Sequence, residues 1–260
     1  MHDKPKSGGG FSQRFSMILV TIRSAVFFVW FVAVSVVLHI GMLPTLLTPR
    51  RIAMRAPKWW CAWLLWGLKI FAGLRYEVRG RVSEHGVLIA SKHMSMLDTL
   101  LLYLLVPDAI VVLKRELKNI PFYGWYASKM QMIFIDRSGH AAALRQMIAE
   151  ARLKLAEGRA LLIFPEGHRM APGAPPDYKP GVAGLYAQLD VACAPVALNS
   201  GLFWTGFIKK PGTVVIEFLE PIAPGLKRAE FMRTLEARIE TATQRLLVEG
   251  KQVLAAKGIS

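Results

Sequence analysis

The sequence predicts an α/β sheet domain preceded by an apolar helical hairpin, on three observations. From about Tyr76 onward, short apolar runs rich in branched residues recur. Amphipathic stretches of helical period separate those runs. A long segment without charge precedes them all. Runs of four to eight apolar residues bounded by turn residues read as strands, and their alternation with helices is the pattern of an α/β sheet.

The expected strands are residues 86–90 (GVLIA), 109–114 (AIVVLK), 132–136 (MIFID), 160–164 (ALLIF), 193–198 (CAPVAL) and 213–219 (TVVIEFL). Helices are expected over 95–105, 119–130, 139–157, 181–190 and 226–250. No internal repeat or clear linker divides this region, and its only low-complexity piece is APGAPP at 171–176.

Ahead of it, the polar, Gly-rich start of the chain reads as a mobile basic tail, residues 1–14. No Asp, Glu, Lys or Arg occurs between Arg23 and Arg50, a stretch longer than the roughly 20 apolar residues that cross a bilayer. A second apolar stretch, residues 59–74, is interrupted by Lys69. On a helix its Trp59, Trp60, Trp63 and Trp66 share one arc, and indoles prefer the headgroup level of a membrane. A core helix and a Trp stripe within the protein are the alternatives. The preferred reading of residues 15–75 is a membrane-associated hairpin that dips into one leaflet, with residues 76–260 forming the α/β domain. Cations flank both apolar segments, so charge alone does not set topology.

At 260 residues the chain has the length of one domain plus an extension. Hydrophobic residues make up 53% of it, yet it carries 33 Lys and Arg and a net charge of +15, a combination that points to a membrane surface. There is no zinc-finger spacing, RNP-like motif or basic recognition helix. Charge by itself supplies only unspecific attraction to nucleic acid, which is therefore not expected as a partner. Cys61 and Cys193 stand far apart in apolar runs, which excludes a disulfide framework or structural zinc. No Gly-x-Ser-x-Gly elbow and no G-x-G-x-x-G fingerprint occurs, which removes a serine hydrolase and a dinucleotide enzyme.

The chemistry-bearing residues cluster after the strands. SKHMSMLDTL follows the first, with four residues between His93 and Asp98. A His at a strand end and an Asp just inside the next helix converge when the carboxylate accepts from one ring nitrogen and leaves the other free to take a proton. Such a pair activates an alcohol without a protein nucleophile. KRELKNIPFYGW (114–125), IFIDR (133–137), FPEGHR (164–169) and APVAL (194–198) lie at or near the carboxyl ends of further strands. Ligands of open α/β sheets collect outside those ends, so these segments describe one pocket.

In order, these blocks resemble the glycerolipid acyltransferase family, of the 1-acylglycerol-3-phosphate (lysophosphatidate) acyltransferase type, over roughly residues 76–220. The resemblance implies a mixed sheet flanked by helices, preceded by a two-helix membrane motif. It implies transfer of a fatty acyl group from acyl-CoA or acyl carrier protein to the sn-2 hydroxyl of a lysophospholipid, with no metal or cofactor beyond that co-substrate. His93 is then the catalytic base and Asp98 its orienting partner. Lys114, Arg137 and Arg169 match positions associated with the acceptor's phosphate, Glu166 with glycerol hydroxyls, and Gly167 with close backbone approach. Expected partners are a lysophospholipid acceptor, an acyl thioester donor and membrane lipid. The expected location is the inner membrane with the catalytic domain facing the cytoplasm, where acyl thioesters are made. Lys114 and the pair Asp136 and Arg137 also read as solvated surface charges, and Asn119, Pro121 and Gly124 as turn formers.

Three positions depart from the family pattern. His168 and Met170 replace the Thr and Ser of FPEGTRS, and Gln131 replaces a glycine before the IFIDR strand. These changes border the presumed acceptor pocket and leave another lysophospholipid or a lyso-aminolipid open as acceptor. A non-catalytic membrane or polyanion-binding protein that keeps only the fold is the reading of a different class.

Overall fold

The computed structural model describes residues 9–82, 86–136 and 140–259. Helix α1 (Gly9–Gly41) is followed by a 3-10 turn (Leu43–Leu47), α2 (Arg50–Ala53) and α3 (Arg55–Gly67), which continues as a π-helical turn (Leu68–Ala72). Then come β1 (Leu74–Arg79), β2 (Leu88–Ser91), α4 (Met96–Leu105), β3 (Ile110–Lys114), α5 (Tyr123–Lys129), β4 (Ile133–Ile135) and α6 (His140–Ala156). The chain ends with β5 (Leu161–Ile163), α7 (Gly181–Leu189), β6 (Cys193–Leu198), the two-residue strands β7 (Trp204–Thr205) and β8 (Ile208–Lys209), β9 (Gly212–Phe218) and α8 (Arg228–Ala256).

Seven strands form one sheet in the order β1-β9-β6-β2-β5-β3-β4. The pairs β6/β2, β2/β5, β5/β3 and β3/β4 are parallel, whereas β9 runs antiparallel to β6 and parallel to β1. The sheet is therefore mixed and flanked by helices, as expected. Alternate residues of each strand point to opposite faces, and here the two faces bury two separate cores. Ile89, Val111, Leu162, Ala194 and Val196 meet Leu97, Leu101, Leu65, Leu68 and Phe27 on one side. Leu88, Ile110, Leu161 and Cys193 meet Met147, Ile148, Val182, Tyr186, Phe231 and Leu235 on the other. Strands buried on both faces read as continuous apolar runs, which is why the sequence marks them so clearly.

The structure departs from the expected elements in several places. Strand β1 lies outside the strands expected from sequence, because LRYEVR sits at a sheet edge with only Leu74 buried and carries no apolar run. The helix expected over 119–130 starts only at Tyr123, after a 3-10 turn (Arg115–Asn119), since Pro121 lacks the N–H a helix interior needs. The expected tail over 1–14 is helical from Gly9, while residues 1–8 lie outside the described part.

At the amino-terminal end, α1 holds a stretch long and apolar enough to cross a membrane, Arg14–Gly41, and only 17% of its 18-residue apolar window is buried within the protein. A core helix would be mostly buried, so that alternative falls. The second apolar stretch is not a second long helix but the short α3 and its π turn, laid against α1. Trp30 donates from its indole to Trp63 O at 3.2 Å, and Trp60 donates to Ser35 Oγ at 3.0 Å. A Cβ at Gly67 would stand 2.2 Å from the Trp30 indole, so only glycine admits this approach. Trp59, Trp63 and Trp66 are exposed, whereas Trp60 turns inward against Phe31 and His39. The β7/β8 hairpin ties α1 to the sheet domain. Lys209 N donates to Ser24 Oγ at 2.9 Å, and its ammonium lies 4.6 Å from the Trp204 ring centre.

Candidate active site

Strands β2 to β6 are mutually parallel, so their carboxyl ends share one edge of the sheet. That edge receives His93 after β2, Lys114 at the end of β3, Asp136 after β4, the 164–170 loop after β5 and Ser200 after β6. The crevice outside it is where ligands of such sheets bind.

His93 and Asp98 meet there. The imidazole Nδ1 lies 3.0 Å from Asp98 Oδ2, with Asp98 fully buried and the His93 side chain 12% exposed. The local sequence explains the convergence. Ser95 caps α4 and Asp98 is the third residue of its first turn, a reciprocal capping arrangement that turns the carboxylate back toward the strand end. Oδ2 also accepts from Met94 N at 2.6 Å and from Ser95 N at 2.8 Å. An ionised carboxylate only accepts, so the hydrogen between Asp98 and His93 belongs to Nδ1, and Nε2 is left as the acceptor. The hydroxyls of Ser95 and Ser200 sit against Oδ1 and lie 2.9 Å from each other. The helix amino terminus adds its partial positive charge to the donors that hold the anion. One face of the imidazole is covered by Phe164, at 4.0 Å between ring centres and 20° between planes.

Glu166 takes a place that its sequence context did not suggest. It has no exposed surface, and its carboxylate accepts from Lys92 Nζ at 2.6 Å and from His93 N at 3.4 Å. Burial pushes its carboxyl upward from the usual range, opposed by the Lys92 ammonium. Both of its oxygens face protein donors, Lys92 Nζ and His93 N. Gly167 adopts φ +72°, the left-handed region that favours glycine. Met170 N donates to His93 O at 2.8 Å, which fastens the 164–170 loop alongside His93.

The expected phosphate-binding cations divide. Arg169 is exposed on that same loop, one residue from the Met170 contact, and makes no ion pair among the described residues. Lys114 is exposed, pairs with Glu116 at 3.2 Å, and stands two strands away from β2, roughly 10 Å at ordinary strand spacing. Arg137 lies outside the described residues. The described residues contain no group of His, Cys, Asp and Glu side chains able to hold a metal.

Ser200, Lys92, Tyr178 and Glu240 were not picked out from sequence. Ser200 follows the APVAL strand and was findable as a polar residue at a sheet edge, but its contact with Asp98 crosses 102 residues. Beside α4 lies an apolar cavity of about 90 Å³ lined by Thr99, Leu100, Tyr103, Leu113, Tyr126 and Met132 among others. A neighbouring apolar groove shares Pro57, Trp60, Tyr123 and Tyr126 with it and extends to Leu38 and His39 of α1.

Comparison with known proteins agrees with this geometry. An acyltransferase family model matches residues 74–199. The chain is similar to a 1-acyl-sn-glycerol-3-phosphate acyltransferase of Pseudomonas aeruginosa, 37% identical over 161 residues that make up 60% of this chain and 63% of that protein. It is similar also to a lyso-ornithine lipid O-acyltransferase of the same organism, 30% identical over 218 residues, covering 75% of this chain and 80% of that protein. Among solved structures, the 1-acyl-sn-glycerophosphate acyltransferase of Thermotoga maritima shares the fold, with a TM-score of 0.72 at 20% identity over 87% of this chain and 97% of that one. The chain thus spans under two thirds of the first relative and four fifths of the second. With a relative of 30% identity matched over most of its length, a family model on the sheet domain and a His-Asp pair at the strand ends, the chain belongs to the acyltransferase family.

Proposed function

We propose that this protein transfers a fatty acyl group from acyl-CoA or acyl carrier protein to the sn-2 hydroxyl of 1-acylglycerol-3-phosphate, yielding phosphatidic acid. The observation that carries the proposal is the His93 imidazole, hydrogen-bonded through Nδ1 to a fully buried Asp98, at the sheet edge where the loops converge. Nε2 takes the acceptor's hydroxyl proton as that oxygen attacks the thioester carbonyl. The new C–O bond forms, the C–S bond breaks, and the leaving sulfur recovers the proton from the imidazolium. Asp98 holds the tautomer and stabilises the imidazolium. General-base assistance of this kind is worth about 10²- to 10⁴-fold in rate, and positioning supplies the rest.

Arg169 offers its planar guanidinium to the acceptor's phosphate, with Lys114 as a further cation of the same edge; Arg137 is assigned to the phosphate on the family pattern alone. Glu166 holds the loop and the His93 backbone rather than touching substrate. The apolar cavity along α4 begins one residue after Asp98, at Thr99, and suits an acyl chain whose thioester is presented to His93. The exposed apolar surface of α1 and the exposed Trp59, Trp63 and Trp66 support residence in a membrane, where the lysolipid acceptor is dissolved. Placement on the inner membrane with the catalytic domain facing the cytoplasm follows from the site where acyl thioesters are made. The scheme uses no metal, so turnover is expected to survive chelation.

A lyso-aminolipid acceptor is the second reading, favoured by the 218-residue match to a lyso-ornithine lipid acyltransferase and by His168 and Met170 beside Arg169. The test is an assay of detergent-purified protein with labelled oleoyl-CoA and, in parallel, labelled oleoyl acyl carrier protein against a panel of lysolipids, read by product mass. Acylation of lysophosphatidic acid above the other acceptors supports the first reading. Preference for lyso-ornithine lipid replaces it with the second, and absence of transfer to any lysolipid refutes both.

A further inference from the structure

The residue before the catalytic base carries a buried charge that the reaction scheme does not use. Lys92 is 2% exposed, and its backbone N–H donates to Val196 O of β6 at 3.0 Å. Its ammonium donates to Glu166 Oε1 at 2.6 Å and to Glu240 Oε1 of α8 at 2.7 Å. The same Glu240 oxygen accepts from the Tyr178 hydroxyl at 2.7 Å, and the Tyr178 ring centre lies 5.7 Å from Nζ. The ammonium thus has a partner for each of its three hydrogens, two carboxylates and a ring face, and its rotamer is fixed.

Charge balance does not require this arrangement. Lys92 with Glu166 alone is a neutral buried pair, and Glu240 adds a further negative charge at a site where burial of charge is costly. What Glu240 adds is direction. Segments from β2, the loop after β5, the residues before α7, and α8 meet at one atom, and Glu166 passes the constraint on to the His93 N–H.

We propose that Glu240, acting through Lys92, is a positioning residue for the proton transfer: it holds the backbone that carries His93 so that Nδ1 meets Asp98. Helix α8 lies beyond residues 74–199, so the matched catalytic segment does not contain this support. The inference rests on the acyl-transfer reading for its kinetic arm only.

Two measurements on the full chain in detergent test it. With oleoyl-CoA and oleoyl lysophosphatidic acid, Glu240→Ala is expected to lower kcat by about ten- to a hundredfold with both KM values within about twofold, the loss that a misplacement near 1 Å produces. Glu240→Gln keeps an oxygen for Lys92 and Tyr178 and is expected to recover most of kcat, while Tyr178→Phe, which leaves every charge in place, is expected to lose severalfold. The second measurement needs no substrate: by proton NMR of isotope-labelled histidine, the downfield Nδ1–H of His93 bonded to Asp98 is expected in the parent and lost or shifted in Glu240→Ala. If Glu240→Ala does not fold, Tyr178→Phe decides by the same two measurements. Parent-like kcat with an unmoved His93 proton overturns the inference, as does a rise in KM alone. A parent without turnover on either oleoyl-CoA or oleoyl acyl carrier protein defeats the acyl-transfer reading, and the His93 proton still decides the role of Glu240.

Discussion

Replacing Asp98 by asparagine separates charge from shape at the centre of the site. Asp98 accepts from His93 Nδ1 at 3.0 Å, Met94 N at 2.6 Å and Ser95 N at 2.8 Å. In Asp98→Asn the amide oxygen keeps those three donors, and its NH2 faces Ser95 and Ser200, whose hydroxyls turn to accept. The fold is therefore retained, and what disappears is the negative charge beside the imidazolium. With nitrogen and oxygen in hydrogen-bond contact the charge centres lie about 4 Å apart, where opposite unit charges attract by about 4 kcal/mol at an effective dielectric near 20. In the proposed mechanism the imidazolium forms during proton transfer, so the loss is expected in kcat and amounts to about 10³-fold. The assay is steady-state acyl transfer at saturating donor, with a thermal melt as control. A folded Asp98→Asn protein that turns over within tenfold of the parent refutes the dyad mechanism. Asp98→Ala tests less cleanly, because it leaves the N–H groups of Met94 and Ser95 buried without a partner at about 1–3 kcal/mol each. Loss of turnover in that variant mixes chemistry with loss of fold.

Arg169→Ala is expected to raise KM for a phosphomonoester acceptor more than for an uncharged glycerol acceptor; equal effects in the same transfer assay mean that this side chain does not read phosphate. Ser200→Ala removes one hydroxyl from Asp98 Oδ1 and leaves the Ser95 hydroxyl, so denaturant melts should show a loss of about 1–2 kcal/mol with a smaller fall in kcat than Asp98→Asn. Lys209 supplies a pH test. Burial lowers its ammonium from 10.5 to about 8, so the unfolded chain binds more protons than the folded one between those values and parent stability rises with pH across that window. Lys209→Met should lack that rise, and parallel pH dependence of the two unfolding curves contradicts the placement of Lys209 in its aromatic surround.

Much of the catalytic edge was legible because parallel strands buried on both faces must be written as apolar runs. GVLIA, AIVVLK, ALLIF and CAPVAL announced β2, β3, β5 and β6, and the polar residues that follow them mark one edge once the strands are parallel. The His93 to Asp98 spacing was equally local, since a strand end, a Ser cap and the first turn of α4 suffice to bring the two side chains together. In the seven-stranded sheet the strand that escaped, β1, did so for the converse reason. At its edge β1 buries only Leu74, so its sequence is free of the pattern.

The sequence by itself determined the sheet's central strands, the apolar amino-terminal segment and the His-Asp pair, because each is encoded by neighbours in the chain. Only the tertiary structure decided that Glu166 faces inward, that Ser200 supports Asp98 across 102 residues, and that Lys92 is held by a carboxylate 148 residues away on α8. It also decided that Trp60 turns toward α1 while Trp59, Trp63 and Trp66 remain outside. The physical reason is the same in each case. Periodicity and capping report on a few successive residues, whereas the partner of a buried polar group is whichever side chain the packing of distant elements brings within hydrogen-bond reach.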